Sequence, residues 1–142
     1  MCLLASTDGS FSLNSTQGPD EFHTGDDSCY VNAAAALNLR FAANASAMLG
    51  QPYTANWTHI ADNVRFPFDG ERQMHLEFAE WTDAMVAKQA DTIMLSYPLG
   101  VDMSPTVRKN DLVSQLLMPI VLSFVFLPTG MPWLGFGWRF TA

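Results

Sequence analysis

An acidic loop near the N-terminus carries the first candidate for catalysis. The stretch 17–23, QGPDEFH, places a Gly-Pro turn directly before Asp20 and Glu21, with an aromatic residue and a histidine after them. Such a turn can hold the following carboxyl groups in a fixed position, and apolar neighbours can raise a carboxyl pKa, as a general acid requires. A solvated turn or a helix-capping acid would use the same residue types, so both interpretations stay open at this point.

A second candidate is the stretch KQAD, which begins at Lys88, the only lysine in the first hundred residues. Lysine and glutamine side chains together can bind several sugar hydroxyls, since one donates and the other both donates and accepts. The alternative is a polar helix entry, in which Asp91 is favoured by the helix dipole.

The composition excludes several classes of function. Seven Lys and Arg face fourteen Asp and Glu, which gives a net charge of −7. With no basic stripe to neutralise phosphates, nucleic-acid binding is excluded. Cys2 and Cys29 form neither a CxxC pair nor a metal-ligand spacing with the three histidines, so neither a disulfide framework nor a metal site is predicted.

The length of 142 residues suits one modest domain. Charged residues make up 15% of the chain, against about 25% in an average soluble domain, which indicates that much of this surface is covered by something else. The N-terminus, MCLLASTDGS, has neither a basic start nor a long apolar run. No signal peptide is therefore predicted, and a cytoplasmic location is favoured.

Hydrophobic spacing predicts helices separated by long loops. TDGSFSLN alternates polar and apolar residues and predicts a strand or hairpin arm after Asp8 and Gly9. Asp27 or Ser28 would cap a helix that ends at Gly50. Its apolar face would comprise Val31, Ala34, Leu37, Phe41, Ala45 and Met48.

Three further segments complete this helical pattern. A second helix after Pro52 would turn Trp57, Ile60, Ala61 and Val64 inward and end before Phe66. A long loop follows, and then a third helix over AKQADTIMLSYPLG would bury Ala90, Ile93, Met94 and Tyr97. Ser104 and Pro105 would open another helix as its cap and first residue. No βαβ alternation occurs, so the fold class is all-α with a short N-terminal hairpin.

The C-terminal stretch differs from the rest because no charged residue occurs between Leu112 and Trp138. A membrane helix needs about 20 predominantly apolar residues, and this stretch is long enough. Ser114, Gln115 and three prolines interrupt it, however, so a membrane span is not the favoured interpretation.

Four stretches resemble, in order, motifs of glycoside hydrolase family 65. They are DGSFSLNSTQGPDEFH, YVNAAAALNLRFA, FPFDGERQMHLEF and AKQADTIMLSYPL, within about residues 7–117. Within this family, the motifs are most similar to those of the glucosidases that act on glucosyl-galactosyl-hydroxylysine, and next to those of the acid trehalases. The resemblance implies a partial (α/α)6 toroid barrel over residues 1–117, followed by a divergent apolar tail over 118–142.

The resemblance also implies catalytic and substrate-binding roles. Glu21 matches the glutamate of the family's Pro-Asp-Glu motif, the general acid that protonates the glycosidic oxygen. Lys88 and Gln89 match the Lys-Gln pair that holds the glucosyl ring. Neither a metal nor an organic cofactor is implied.

Four more residues would support this site. Asp20 adjoins the acid, and His23 is expected to stabilise the loop. Asn32 stands where the family has the Asn of a Tyr-Thr-Asn motif, here Tyr-Val-Asn, and is expected to support the acid loop. Trp81 is a candidate ring for sugar stacking, with core packing as the alternative.

The family inverts the anomeric carbon, which needs a base on the face opposite the acid. Glu71, Glu77 and Glu80 match no base motif. The expected chain is thus an incomplete and inactive part of an inverting hydrolase, acting in complete form on an α-glucoside disaccharide or glycosylated hydroxylysine. The alternatives are an α-glucoside phosphorylase of the same family and a non-catalytic sugar-binding or membrane-tethered remnant.

Overall fold

The computed structural model describes residues 2–52, 55–89 and 91–114. Its elements are, in chain order, β1 (Cys2–Ala5), β2 (Phe11–Asn14), α1 (Cys29–Met48), α2 (Asn56–Asn63), β3 (Phe68–Asp69), β4 (Met74–His75), α3 (Asp91–Ser96) and α4 (105–114). Within these ranges the chain is mostly helical, and the strands form two antiparallel pairs, β1–β2 and β3–β4. The predicted helical class with an N-terminal hairpin is confirmed at this level. The predicted tail, 118–142, lies outside the described residues.

The N-terminal hairpin forms where the alternating pattern predicts it. β1 pairs with β2 so that Leu3 lies opposite Leu13 and Ala5 opposite Phe11. In the connecting turn, Asp8 Oδ1 accepts hydrogen bonds from the backbone N–H and the hydroxyl of Ser10. Leu13 is buried and joins the core, so β2 is the strand that connects the hairpin to the helices.

Both ends of α1 agree with the sequence signals. Ser28 is the N-cap, and its Oγ accepts the N–H of Val31 at 3.5 Å. The chain leaves the helix at Gly50 with φ of +63°, a left-handed conformation that glycine adopts without steric cost. These local signals therefore predicted the length of α1 correctly.

The predicted apolar face of α1 is wrong. Phe41 is 73% exposed and Met48 is 88% exposed. The buried residues of the helix are Cys29, Asn32, Ala33, Ala36 and Ala43. They lie toward α2 and α3, which pack against α1. Small side chains allow these helices to approach closely, and a pattern based on large apolar residues misses such a contact surface.

The second helix, α2, agrees with its prediction. It ends at Asn63, before Phe66, and it buries Ala61 together with Val64 just beyond its end. These residues form one core cluster with Leu13 of β2 and Ala36 of α1. Helix α2 and the hairpin are therefore held on one part of α1.

The long loop between α2 and α3 contains a hairpin that the sequence did not predict. β3 and β4 have two residues each, too few for an alternating pattern. His75 of β4 donates its backbone N–H to Asp111 Oδ1 at 2.8 Å, and its Nδ1 lies 2.8 Å from Oδ2 of the same carboxylate. This contact fixes the loop to α4.

The inward face predicted for α3 is also wrong, although the helix exists. Tyr97 is 83% exposed, Ile93 and Met94 are half-buried, and Ala90 lies outside the described residues. The buried side chains are Asp91, Thr92 and Leu95. Leu95 packs with Cys29 and Ala33 of α1 in a second core cluster. Two of these buried residues, Asp91 and Thr92, are polar. Asp91 forms a hydrogen bond with Asp20, and Thr92 forms one with Glu77, as described below.

Helix α4 begins as predicted, since Ser104 Oγ accepts the N–H of Val107 at 3.2 Å and Pro105 is the first helical residue. Across the described ranges, none of the helices is long and apolar enough to cross a bilayer.

Candidate active site

The loop that contains Glu21 is closed at its base by a short bridge. Thr16 and Gly25 exchange backbone hydrogen bonds of 2.8 and 3.0 Å, and the residues between them, 17–24, form what we call the acid loop. Ser28, the cap of α1, donates its N–H to Thr16 Oγ1 at 2.9 Å. A Cβ at Gly25 would overlap the ring of Phe78. The acid loop is therefore fixed both to the start of α1 and to the segment that contains Phe78.

Asp20 holds the acid loop from the inside. It is 5% exposed. Its Oδ1 accepts the N–H of Phe22 at 3.1 Å, and its Oδ2 lies 3.0 Å from Nδ1 of His23. Oδ2 also accepts the backbone N–H of Lys88 at 3.3 Å. Asp20 thus connects the acid loop to the Lys-Gln segment, 68 residues away.

Glu21 points outward and meets Lys88. Its side chain is 64% exposed, and its Oε1 contacts Nζ of Lys88. The same Nζ lies 4.9 Å from the centre of the Phe22 ring, a distance at which a cation and an aromatic face attract. Gln17 Nε2 donates to the backbone carbonyl of Glu21 at 2.9 Å. The structure therefore brings the predicted acid and the predicted sugar-binding lysine to one surface.

Gln89 is exposed next to Lys88, and its carbonyl accepts the N–H of Asp91 at 3.2 Å. The predicted Lys-Gln pair therefore lies at the entry of α3, on the exposed side of the chain. The acid, the lysine and the glutamine belong to one region, but the described contacts join only the first two side chains directly.

Three aromatic rings pack beside the acid loop. His23 lies edge-on to Trp81, with ring centres 5.5 Å apart, and 5.9 Å from Phe78. Phe78 and Trp81 also pack edge-on, at 5.5 Å. Trp81 is half-buried, so it supports the loop through His23 and leaves part of its ring exposed.

Asn32 lies at the base of this region, and its side chain forms hydrogen bonds to Asp27 and Arg65. It is fully buried in the first turn of α1. Its Nδ2 donates to Asp27 Oδ1 at 3.0 Å and to the carbonyl of Arg65 at 2.7 Å. Asp27 in turn accepts the N–H of Leu13 at 2.8 Å. Asn32 therefore fixes the segment that follows the acid loop to β2 and to the end of α2.

Asp91 is a site residue whose contact the sequence did not indicate. It is buried, and its Oδ1 accepts the backbone N–H of Asp20 at 2.9 Å. A Cβ at Gly18 would overlap its Oδ2, so the Gly-Pro turn can pass Asp91 only because residue 18 is glycine. The sequence offered Asp91 only as a residue favoured by a helix dipole.

Glu77 is the second residue missed by the sequence reasoning. It is 4% exposed. Burial, together with the charges of Asp91 and Asp20, raises its pKa to about 8. Burial likewise raises the pKa of Asp91 to about 6, with the Asp20 charge adding to the effect. Nothing in the local sequence distinguished Glu77 from Glu71 and Glu80, because its burial arises from contacts with other segments.

This arrangement can bring one exposed carboxyl group and one cation to a polyhydroxylated ligand. Among residues 2–52, 55–89 and 91–114, no group of three or more His, Cys, Asp or Glu side chains could hold a metal ion.

Known proteins similar to this chain are glycosidases. A protein-glucosylgalactosylhydroxylysine glucosidase of Danio rerio is 39% identical over 108 residues, which are 75% of this chain and 16% of the relative. A kojibiose hydrolase of Mucilaginibacter mallensis is 34% identical over 73% of this chain and 15% of its own length. A periplasmic or secreted acid trehalase of Candida glabrata is 28% identical over 72% of this chain and 8% of its own length.

By this similarity the chain belongs to a family of glycosidases. More particularly, its resemblance to glycoside hydrolase family 65 is confirmed, and it corresponds to a segment of such enzymes. The chain spans about one sixth of the length of the Danio rerio relative, 16%. No family model matches it.

Proposed function

We propose that this chain is the acid-bearing segment of an inverting α-glucoside hydrolase, with Glu21 as the general acid. Glu21 would protonate the glycosidic oxygen while the bond to the glucosyl C1 breaks. The observation that carries this proposal is the contact of Glu21 with Lys88 across 67 residues of sequence. A carboxyl group next to a hydrogen-bond donor for sugar hydroxyls could deliver its proton to a sugar bound beside it.

Lys88 and Gln89 would bind the glucosyl ring. Both are exposed beside the acid loop, and together they supply ammonium and amide donors and an amide acceptor. The half-buried Trp81 would present the exposed part of its ring to a sugar. The contact with His23 would hold this ring in place. An α-glucoside disaccharide or glycosylated hydroxylysine is the substrate class that the names of the relatives support.

The base is proposed to lie outside the described residues. In an inverting enzyme the two carboxyl groups stand about 6.5–9.5 Å apart, with a water between them. Glu77 does not suit this role, since it is buried and its pKa is raised to about 8. A general base must instead be ionised and reach the water that it activates.

The fold proposal follows from the same resemblance. Residues 1–117 would form part of an (α/α)6 toroid barrel, and α1–α4 would supply some of its helices. The exposed Phe41 and Met48 are consistent with this, because each barrel helix packs against neighbours on both sides. Residues 118–142 would be a divergent tail.

A segment exchange tests the assignment of Glu21. In the Danio rerio glucosidase, the 108 matched residues of this chain would replace their counterparts. We expect the chimera to hydrolyse an α-glucoside and its Glu21→Gln variant to lose about 10²- to 10⁴-fold in kcat. Glu71→Gln, the same chemical change at an exposed turn, is the matched control. A folded but inactive chimera, or a Glu21→Gln variant within a few-fold of its parent, would contradict the proposal.

Hydrolysis is favoured over phosphorolysis because the relatives described above are a glucosidase, a hydrolase and a trehalase by name. Dependence of the chimera's turnover on inorganic phosphate would reverse this preference.

A further inference from the structure

Three buried carboxyl groups, one from the acid loop and two from the segments beneath it, lie close together. Asp20, Glu77 and Asp91 are 5%, 4% and 3% exposed, and they line one small recess, which we call the carboxyl recess. The recess is also lined by Thr16, Gly18, His23, Ser28 and Phe78. No Lys or Arg is among these lining residues. Because the three acids are buried in a medium of lower dielectric constant than water, negative charges on them repel one another more than they would in water.

Asp20 and Asp91 connect the acid loop to the segment that leads into α3. Asp91 accepts the N–H of Asp20 at 2.9 Å, and Asp20 accepts the N–H of Lys88 at 3.3 Å. Each carboxylate thus binds the backbone of the segment that carries the other. We call this reciprocal pair the Asp20–Asp91 clamp. It sets the distance between Glu21 and Lys88, because Glu21 follows Asp20 in the sequence and Lys88 lies three residues before Asp91.

Gly18 gives independent support for a tight fit at the clamp. Its Cα lies so close to Asp91 Oδ2 that a methyl group would overlap the oxygen, and it would also approach Ser28 Oγ to 3.2 Å. The Gly-Pro turn therefore rests directly on the Asp91 carboxylate. Any movement of that carboxylate is transmitted to the turn and to the acid loop.

Glu77 supplies the third charge of the recess. Its Oε1 accepts the Thr92 hydroxyl at 3.4 Å, in the turn of α3 that also contains Asp91. Its own carbonyl accepts the N–H of Cys29 at 2.9 Å, which fixes it to α1. The titratable groups around it are Asp20 and His23 of the acid loop, Cys29 of α1 and Asp91 of α3, with Asp111 of α4 beyond Cys29.

We propose that Glu77 and Asp91 are positioning residues for Glu21, and that the clamp closes fully only while Glu77 keeps its carboxyl proton. Neutral Glu77 leaves two negative charges in the recess, and each of them is hydrogen-bonded to backbone. Loss of its proton adds a third buried charge beside the other two, which weakens the clamp and loosens the Glu21 loop from the Lys88 segment. The role of the clamp in catalysis rests on the proposed function, whereas the existence of the clamp does not.

Carbon-13 NMR of the wild-type 142-residue chain tests the proton directly. We expect one glutamate carboxyl carbon to titrate near pH 8. The amide resonances of Asp20 and Lys88 should shift with the same midpoint. Titration of every glutamate near its ordinary value, between about pH 4 and 5, would overturn the proposal without any variant.

Two variants then test the coupling. Glu77→Gln, which mimics the neutral acid, should remove the alkaline shift of both amides, while Glu71→Gln should leave it in place. Asp91→Asn keeps an oxygen acceptor but removes a charge, and it should lower the Glu77 midpoint. A Glu77→Gln chain whose amides still shift with the wild-type midpoint would contradict the inference.

Activity separates this inference from the proposed function. In the chimera, Glu77→Gln should move the alkaline limb of the kcat profile upward, with KM changed less than kcat. If Glu21→Gln is inactive and Glu77→Gln has the parent's pH profile, Glu21 is the acid but the positioning inference fails. If Glu21→Gln is active and the amides still follow Glu77, the clamp exists without the proposed catalytic role.

Discussion

Asp27 and Asp111 are as deeply buried as Glu77 and Asp91, yet their surroundings differ. Asp27 accepts hydrogen bonds from a backbone N–H, a hydroxyl and a side-chain amide. Asp111 accepts a backbone N–H and faces a histidine nitrogen at 2.8 Å. In the carboxyl recess, by contrast, the acids face one another, and the pKa values of Glu77 and Asp91 are raised to about 8 and about 6.

This difference separates buried acids that accept hydrogen bonds from several donors from buried acids that lie beside other acids. A buried carboxylate with several donors is stabilised in its charged form. A buried carboxyl group next to other acids is stabilised in its neutral form. The first kind suits the base of the fold at β2 and α4, and the second lies beneath the loop that presents Glu21. Four measurements test this contrast.

Removal of Asp27 should have the largest effect on stability. Asp27→Ala leaves buried donors unpaired, each costing about 1–3 kcal/mol, and places alanine at φ of +55°. We expect the free energy of unfolding in urea to fall by about 3–5 kcal/mol. Asp27→Asn, which keeps an acceptor oxygen and tolerates this backbone conformation, should lose much less. A loss below about 1 kcal/mol for the alanine variant would show that the donors find water instead.

Gly18→Ala should cause the next largest loss of stability. The added methyl group overlaps Asp91 Oδ2, and the turn must move to relieve the overlap. Overpacking of this kind costs about 1–3 kcal/mol of unfolding free energy. Gly70→Ala is the control, since a Cβ there meets no atom within 4 Å and the backbone is not left-handed. Equal stability of the two variants would contradict the close approach of Asp91.

Taken per pH unit, the pH dependence of stability should come next in size. The folded-state pKa of Glu77 is raised from 4.5 to about 8, so its contribution is fully present below the unfolded value and is lost as pH rises through the folded value. Between these limits, stability should fall by about 1.4 kcal/mol per pH unit relative to Glu77→Gln. Urea unfolding of both proteins from pH 5 to pH 8 measures this difference, and parallel curves would refute it.

The smallest effect should come from an exposed ion pair. Arg72 contacts Asp69 at 2.6 Å and Asp83 at 2.7 Å, with 48% of its side chain exposed. We expect Arg72→Ala to cost less than about 1 kcal/mol, and less still at high salt, because water screens these charges. A larger loss of unfolding free energy that persists in 1 M salt would mean that the two kinds of acid differ in the geometry of their contacts and not in their burial.

Parts of this structure could be predicted from short stretches of sequence, and parts could not. The caps at Ser28 and Ser104 and the stop at Gly50 were predictable because they depend on residues within one turn. The buried face of α1 was not, since exposed Phe41 looks apolar in sequence while buried Asn32 looks polar. Which face of a helix is buried depends on its neighbours, and here those neighbours approach through alanines.

The candidate site divides along the same line. The motif that contains Glu21 and the one that contains Lys88 could be recognised in the sequence, because family motifs are local strings of residues. The contact between these two side chains, and the burial of Glu77 beside Asp91, became apparent only in the folded chain. Burial and electrostatic repulsion depend on segments dozens of residues apart, and those segments become neighbours only when the chain folds.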